Sequence, residues 1–395
     1  MSGHRPQKPE TKLVHAGRRS SQYHGVVNPP VLHASTILFD SLDALEKASA
    51  GGAPGKTTYG RHGTPTRFLL EEAVAELEGG YGTLCVSSGA SAITNAILAF
   101  VKPGDHILIT DSTYFPTRNL CNTFLKRFGV ETEYYDPTIG GDIAGLIRDN
   151  TVLIWCESPG SLTFEMQDIP AIAAAAHDRG VKVMLDNTWA SPILCRPFEL
   201  GVDVSVQAGT KYIVGHSDVM MGTITTATEE DLLTIKKQVL ISGDAIGPDD
   251  CYLAQRGLRT LAVRMKQHHT SGLKVANWLQ TRSEITRVLH PALPDHPGHE
   301  IWKRDFSGAC GLFSFVMQPV EKKQLANMVD NMDLFGMGFS WGGFESLILP
   351  SAPTKIRTAT KWEDDGQLIR LHVGLEDPDD LIADLEAGFE RLKTA

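Results

Sequence analysis

Two polar residues stand where a buried charge or an activated amine could take part in chemistry. Asp186 directly follows the apolar run 181–185, and Lys211 follows the run 202–206 after a short stretch of small residues. An unpaired carboxylate at the end of a buried strand is costly, so Asp186 needs a cationic partner or serves as a helix N-cap. Desolvation and a nearby cation would lower the pKa of Lys211 and free its amine to form an imine.

A third feature predicts a phosphate site. The small residues 87–91, among them Gly89 and Ala90, follow one apolar run and open a helix over 92–100, where backbone N–H groups can approach an anion. Thr210 could add a hydroxyl. Taken alone, residues 87–91 could be an ordinary structural turn, and Lys211 could be a solvent-exposed surface charge. Together, Asp186 and Lys211 favour pyridoxal 5′-phosphate (PLP), held as a Schiff base on Lys211 with its protonated pyridine nitrogen against Asp186.

The spacing of apolar runs predicts the elements that position these residues. Short runs at 84–86, 106–109, 152–156, 181–185 and 202–206 alternate with helical or loop segments, including helices over 68–78 and 171–179. Non-alternating apolar strands between helices indicate a mostly parallel sheet with helices on both faces. Ligands bind beyond the carboxyl ends of such strands, which is where Asp186 and Lys211 lie.

The remaining patterns divide the chain into three parts. Residues 1–62 are rich in Pro, Gly and Ser, with a predicted turn at 51–55, and indicate an extended N-terminal arm. Residues 63–258 are the predicted PLP-binding domain. In residues 259–395, helices over 260–280, 322–332 and near the terminus accompany strands at 312–317 and 368–373, and this predicts a smaller α+β domain.

Composition excludes several classes of protein. The formal net charge of −10 argues against a nucleic-acid or anionic-membrane surface. Six scattered cysteines without a CxxC pair predict reduced thiols, and the N-terminus carries no apolar signal segment. We therefore expect a cytoplasmic protein without a membrane partner. His290, His296 and His299 could ligate a metal, but their proline-rich surroundings indicate a structured loop, and no metal is expected.

Short motifs follow one another in a fixed order along nearly the whole chain. They are Tyr59-Gly60-Arg61, Leu77-Glu78-Gly79-Gly80, Ser88-Gly89, Asp186-Asn187-Thr188, Thr210-Lys211-Tyr212, Gly215-His216-Ser217-Asp218, Arg256-Gly257-Leu258-Arg259-Thr260 and His290-Pro291. This series resembles the Cys/Met-metabolism PLP enzymes, which have the aspartate-aminotransferase-like fold (fold type I). The resemblance implies that Lys211 carries PLP and that Asp186 pairs with the pyridinium.

The resemblance also implies roles for further residues. Tyr114 would stack on the ring and take part in catalysis, and Gly89, Ala90 and Thr210 would bind the phosphate. Tyr59 and Arg61 would reach the phosphate of a neighbouring subunit, so a homodimer sharing active sites, and a tetramer of two such dimers, is expected. Arg370 would hold the substrate α-carboxylate through its planar fork. One departure is Ala208, which stands where a phosphate-binding serine is common.

Within this family the chain is most similar to the bacterial cystathionine β-lyases. Ser340 and Trp341 begin a segment in which γ-acting relatives usually have Leu in place of Trp, and Ser161 replaces their usual Asn. The similarity implies β-elimination of a small amino-acid thioether, L-cystathionine, with Ser340, Trp341, Tyr114 and Arg370 around the substrate. The alternatives are a broader cysteine-S-conjugate β-lyase or cysteine desulfhydrase, a γ-lyase or γ-synthase sibling, and a PLP-binding regulatory protein.

Overall fold

The protein consists of two β-sheets and the helices that cover them. The computed structural model describes residues 7–50 and 56–393. The strands are β1 Gly82–Val86, β2 His106–Thr110, β3 Glu131–Tyr135, β4 Thr151–Glu157, β5 Lys182–Asp186, β6 Val204–Gln207, β7 Gly222–Thr226, β8 Ile285–Leu289, β9 Leu312–Met317, β10 Gly336–Met337, β11 Leu347–Ser351 and β12 Leu368–His372. The helices are α1 Pro9–His15, α2 Leu42–Ser49, α3 Pro65–Glu78, α4 Gly89–Leu98, α5 Phe115–Asn119, α6 Ile169–His177, α7 Ser191–Leu194, α8 Glu229–Ser242, α9 Pro248–Gln280, α10 His299–Asp305, α11 Lys322–Val329 and α12 Pro378–Leu392.

The larger sheet has the strand order β1-β7-β6-β5-β4-β2-β3. All its pairs are parallel except those of β7, which runs antiparallel to both neighbours. Apolar side chains of α4 and α8 pack on one face, and those of α6 pack on the other. The predicted fold class, a mostly parallel sheet covered on both faces, is confirmed.

The smaller sheet has the order β10-β11-β12-β9-β8 and is antiparallel apart from the β10–β11 pair. Its core includes apolar side chains of α9, α11 and α12. The predicted strands at 312–317 and 368–373 are both present, and the α+β character of this part is confirmed. No helix in the described ranges combines the length and apolarity that crossing a bilayer requires.

The structure differs from the sequence prediction in the N-terminal part and in the longest helix. Residues 9–15 form α1, whose Leu13 is buried, and the carbonyls of Leu13 and Ala16 accept hydrogen bonds from Arg259, so the N-terminal part begins with a docked helix. Residues 23–41 contain no helix or strand, and the extended arm over 1–62 stays a prediction. The predicted turn at 51–55 lies outside the described residues. The predicted domain boundary at residues 258 and 259 falls inside α9, whose apolar side chains pack both in a cluster with α1 and α3 and in the core of the smaller sheet, so the division stays a prediction.

Candidate active site

A cavity of about 340 Å³ lies beyond the carboxyl ends of β4 and β5, the edge at which open parallel sheets bind ligands. Most of the predicted site residues line it, namely Gly89, Ala90, Tyr114, Asp186, Thr210, Lys211, Ser340, Trp341 and Arg370. They come from both sheets and are widely separated along the chain. The fold therefore brings together side chains that the sequence analysis selected one at a time.

Lys211 lies in the turn that follows β6, and its amine points into the cavity. Nζ donates a hydrogen bond to Ser340 Oγ at 2.8 Å and lies 5.3 Å from the centre of the Trp341 ring. Burial, together with the positive charge of Arg370, lowers the pKa of Lys211 to about 8, although Asp186 opposes this shift. A substantial fraction of the amine is therefore neutral near physiological pH, as a nucleophile or a base requires.

Asp186 is the last residue of β5 and is almost fully buried. Its Oδ1 accepts hydrogen bonds from the backbone N–H and the hydroxyl of Thr188, and no described residue donates to Oδ2. Burial raises the pKa of Asp186, against the opposing effects of Thr188 and Lys211. A cationic ligand group beside Oδ2 would favour the ionised carboxylate, which is what the sequence analysis required.

Glu157 was not assigned a role from the sequence, yet it is a second carboxyl in the cavity wall. It ends β4 directly beside Asp186 in the parallel register. Burial, followed by the negative charge of Asp186, raises the pKa of Glu157 well above its usual value. Its position after the apolar run 152–156 obeys the rule that selected Asp186, so the sequence did contain this signal.

Tyr114 lies at the cavity mouth and is positioned through its backbone. Its N–H donates to Glu157 Oε2 at 2.6 Å, and its side chain is 44% exposed in the single chain. Burial, together with the charges of Asp186 and Glu157, raises the pKa of Tyr114. The phenol therefore keeps its proton at neutral pH and is available as a hydrogen-bond donor.

The start of α4 forms an anion cradle at one end of the cavity. Ser88 caps the helix by accepting from Ser91 N–H, while the amides of Gly89 and Ala90 make no hydrogen bond within the described residues. A Cβ on Gly89 would lie 2.6 Å from the Ala208 Cβ, so only glycine fits this close approach. Free amides at a helix N-terminus suit a phosphate.

Thr210 also lines the cavity, but its hydroxyl is already paired. It donates to Met221 O at 3.1 Å and accepts from Met221 N–H at 2.9 Å. This pairing fixes the turn that carries Lys211. The hydrogen bond from Thr210 to phosphate stays a prediction.

Arg370 reaches the cavity from β12 of the smaller sheet. Its Nη2 donates to the backbone carbonyls of Gly338, Phe339 and Ser340 at 3.1–3.4 Å. Within the described residues Nε and Nη1 make no hydrogen bond, so their three N–H groups remain for a ligand. Burial lowers the pKa of Arg370 to about 10, which still leaves it charged at neutral pH. This arrangement suits a carboxylate.

The segment that carries Ser340 and Trp341 closes over Lys211. The glycines beside Trp341 predict a loop in close approach to other backbone, and this is confirmed at Gly342, where an added Cβ would lie 2.9 Å from the Lys211 Cβ. Gly342 also has a φ of +82°, which favours glycine. Trp341 packs on Tyr212 with ring centres 5.6 Å apart, so the indole is held against the turn that carries Lys211.

Tyr59 and Arg61 do not line the cavity of their own chain. The Arg61 guanidinium donates to Leu240 O at 2.8 Å, and Tyr59 is 43% exposed. These positions agree with the expectation that both serve a neighbouring subunit, which stays a prediction.

The residues present fit PLP. The cavity offers an amine with a lowered pKa at Lys211, a buried acid with a free oxygen at Asp186, and unpaired amides at Gly89 and Ala90 for a phosphate. An aromatic ring at Tyr114 lies at its mouth. No group of three or more His, Cys, Asp or Glu side chains among residues 7–50 and 56–393 is arranged to hold a metal ion.

Comparison with known proteins identifies the family. Residues 10–390 match the Cys/Met metabolism PLP-dependent enzyme family. The Cystathionine beta-lyase MetC of Escherichia coli is 47% identical, over 98% of this chain and 99% of that protein. The L-alanine/L-glutamate racemase of Wolbachia pipientis is 44% identical, over 98% of both chains. The crystal structure of metB from Corynebacterium glutamicum superposes with a TM-score of 0.89, at 33% identity over 98% of both chains. The chain therefore belongs to the Cys/Met metabolism PLP-dependent enzyme family, and its cofactor is PLP.

Proposed function

We propose that the chain is a cystathionine β-lyase, which splits L-cystathionine into homocysteine, pyruvate and ammonia by β-elimination. The observation that carries the proposal is that Lys211 and Arg370, from different sheets, face one cavity together with Asp186. The near full-length similarity to the E. coli enzyme of that name supports the choice of substrate.

Arg370 and Lys211 have different roles in the proposed reaction. Arg370 binds the substrate α-carboxylate through its guanidinium, whose Nε and Nη1 make no hydrogen bond to the described residues, while Nη2 bonds to the loop carbonyls. PLP, when bound, supplies an electron sink for the carbon from which the Cα proton is lost. We assign Lys211 to holding PLP and, once the substrate amine has displaced it, to removing the Cα proton with its neutral amine.

The remaining steps balance without an added oxidant or reductant. The Cβ–S bond breaks, its electron pair goes to sulfur, and the sulfur receives a proton from Lys211 or from the Tyr114 phenol. Homocysteine leaves, and the three-carbon fragment takes up water and yields pyruvate and ammonia. Glu157 holds Tyr114 at the cavity mouth during these steps.

We further propose that Asp186 pairs with the cofactor ring nitrogen, Tyr114 lies on the ring, and Gly89, Ala90 and Thr210 hold the phosphate. Supporting observations are the free Oδ2 of Asp186 and the unpaired amides of Gly89 and Ala90. Ser340 and Trp341 would shape the substrate pocket beside Lys211.

We propose a homo-oligomer, at least a dimer, in which Tyr59 and Arg61 complete the neighbour's site. The exposure of Phe339 at the cavity mouth (90%) and of Ile241 next to the Arg61 anchor (81%) supports a covering partner there. A cytoplasmic location accords with six free, buried cysteines.

Product analysis tests the proposed function. Purified protein loaded with PLP is incubated with L-cystathionine, and the keto acid is identified by mass spectrometry. Pyruvate with little 2-oxobutyrate is expected, whereas predominant 2-oxobutyrate would assign a γ-acting enzyme instead. A parallel incubation with L-alanine and L-glutamate, read by chiral chromatography, covers the activity named for the Wolbachia relative. Racemisation without keto acid would overturn the lyase proposal.

A further inference from the structure

The connection between β11 and β12, residues 352–367, is much longer than joining two antiparallel neighbours requires. Such strands need only 2–5 residues, roughly, and long ordered connections are usually functional. This connection leaves the smaller sheet and reaches the carboxyl edge of the larger sheet. Hydrogen bonds of two side chains, which we call its fastening points, hold it there. We call residues 352–367 the strap.

The first fastening point is Asp111, which follows β2 and is 1% exposed. Its carboxylate accepts backbone hydrogen bonds from Thr358 at 3.0 Å, Ala359 at 3.0 Å and Thr360 at 2.7 Å. The Thr360 hydroxyl and Arg118 Nη2 donate to the same carboxylate at 2.8 and 2.6 Å. One buried side chain therefore holds three consecutive amides of the strap.

The second fastening point is Arg357, whose side chain is 6% exposed. It donates to Glu165 Oε1 at 2.6 Å and also to the Thr163 hydroxyl. Glu165 and Thr163 lie in the loop after β4, which also lines the cavity at 159–162 and 164. Both fastening points thus join the strap to loops of the larger sheet that border the active site.

Two site residues lie close in sequence to these attachments. Tyr114 is three residues after Asp111, and Arg370 is three residues after the end of the strap. We propose that Asp111 is a positioning residue that, by fastening the strap to the end of β2, sets the separation of Arg370 and Tyr114 across the cavity. Although burial opposes its ionisation, hydrogen bonds from Thr358, Thr360 and Arg118 hold the pKa of Asp111 below its usual range, so the carboxylate is charged at neutral pH.

This inference rests on the proposed function only in that Arg370 binds an amino-acid carboxylate. Asp111 does not line the cavity, so its effect on ligand binding must pass through the strap and the Tyr114 loop. A misplacement of about 1 Å at a binding group lowers catalytic efficiency by roughly 100-fold. Partial release of the strap misplaces Arg370, and the loss of one hydrogen bond to a charged group weakens carboxylate binding by about 10- to 100-fold.

The test is Asp111→Asn in the PLP-loaded protein, with Asp105→Asn as the matched control. Asp105 is also buried, lies at the opposite end of β2 and accepts the Lys102 N–H at 2.8 Å, but it is remote from the strap. Glycine is the probe, because it carries the α-carboxylate and has no Cβ leaving group. Its dissociation constant is read from the change in the visible absorption band.

We expect Asp111→Asn to weaken glycine binding about 10- to 100-fold and Asp105→Asn to leave it within about 2-fold. Amide hydrogen exchange should show faster exchange of the strap only in the Asp111 variant. Faster strap exchange with unchanged glycine binding would overturn the inference, as would equal weakening in both variants. If Asp111→Asn does not fold, Thr360→Val, which removes one of the hydrogen bonds, is expected to give a smaller shift in the same direction, and no shift would count against the inference. Because glycine binding needs no elimination, the inference can hold even if no pyruvate is formed from cystathionine.

Discussion

The substitution Arg370→Lys should weaken binding of the α-carboxylate that all amino-acid substrates share, and it leaves Lys211 itself unchanged. In the structure one guanidinium nitrogen, Nη2, is engaged with three loop carbonyls, while Nε and Nη1 are left for a ligand. A lysine at this position keeps the positive charge but offers a single ammonium group on a flexible stem. This single group cannot bond to the loop carbonyls and to a substrate carboxylate with separate nitrogens, as the guanidinium can.

The size of the effect follows from the bonds that are lost. A hydrogen bond to a charged group contributes about 1.5–3 kcal/mol, and the substitution removes at least one from the carboxylate and loosens those to the loop. The expected cost is about 2–4 kcal/mol, which corresponds to a fall in kcat/KM of roughly 30- to 1,000-fold. Since every amino-acid substrate has an α-carboxylate, the fall should be similar for all of them.

The assay measures kcat/KM for L-cystathionine and for L-cysteine in the variant, with Arg148→Lys as control. Arg148 forms exposed ion pairs with Glu131 and Glu133 at the opposite edge of the larger sheet, so its variant should match wild type. Trp341→Leu, in contrast, should change the ratio between the two substrates. A fall below about 5-fold in Arg370→Lys, or a fall confined to one substrate, would refute the assignment of Arg370 to the carboxylate.

Three further predictions concern the cofactor, the assembly and acid stability. Lys211→Ala should lose the visible band of bound PLP, and borohydride trapping of PLP on another lysine would contradict the assignment. Mixed refolding of inactive Arg61→Ala and Lys211→Ala chains should restore part of the activity, whereas demonstrated mixing without recovery would argue against shared sites. Burial lowers the pKa of His268 to about 4 and of His290 to about 3, and holds that of His372 well below its usual value. Between about pH 6.5 and 4 these histidines bind protons in the unfolded chain but not in the folded one, so the free energy of unfolding should fall as the pH drops through this range. His290→Asn should reduce the slope of that fall by up to about 1.4 kcal/mol per pH unit. An unchanged slope in a urea-denaturation series would contradict it.

The site residues that could be predicted are those that directly follow an apolar strand, because ligands bind at that edge of a parallel sheet. Asp186 and Lys211 each follow an apolar strand, and the carboxyl ends of neighbouring parallel strands meet at one edge of the sheet. Glu157 obeys the same rule after β4, although the sequence analysis assigned it no role. The contact of Asp111 with the strap could not be foreseen, because it joins residues 247 apart in sequence and neither partner has a local signature.

The strands of the fold could be predicted where their sequences are continuously apolar, and not where they are polar. Strands with continuous apolar runs, such as β4 and β5, were found near their true bounds. β3 and β7 were missed, because Glu131–Tyr135 is polar and Gly222–Thr226 is rich in Thr, and their strand conformation comes from pairing with neighbours. Helix α9 begins earlier than predicted, since residues 248–259 pack on a core whose other members lie far away in the sequence.

Helix α9 has a consequence for how the protein unfolds. Its 33 residues correspond to a rod of about 50 Å that packs against α1 and α3 beside the larger sheet and then in the core of the smaller sheet, without an internal break. Bending between the two sheets would have to break hydrogen bonds inside this rod, and loss of either packing partner would destabilise the helix on which the other one packs, so the unfolding of the two parts is coupled. The chain should therefore melt in a single cooperative transition, with one calorimetric peak, rather than as two independent units.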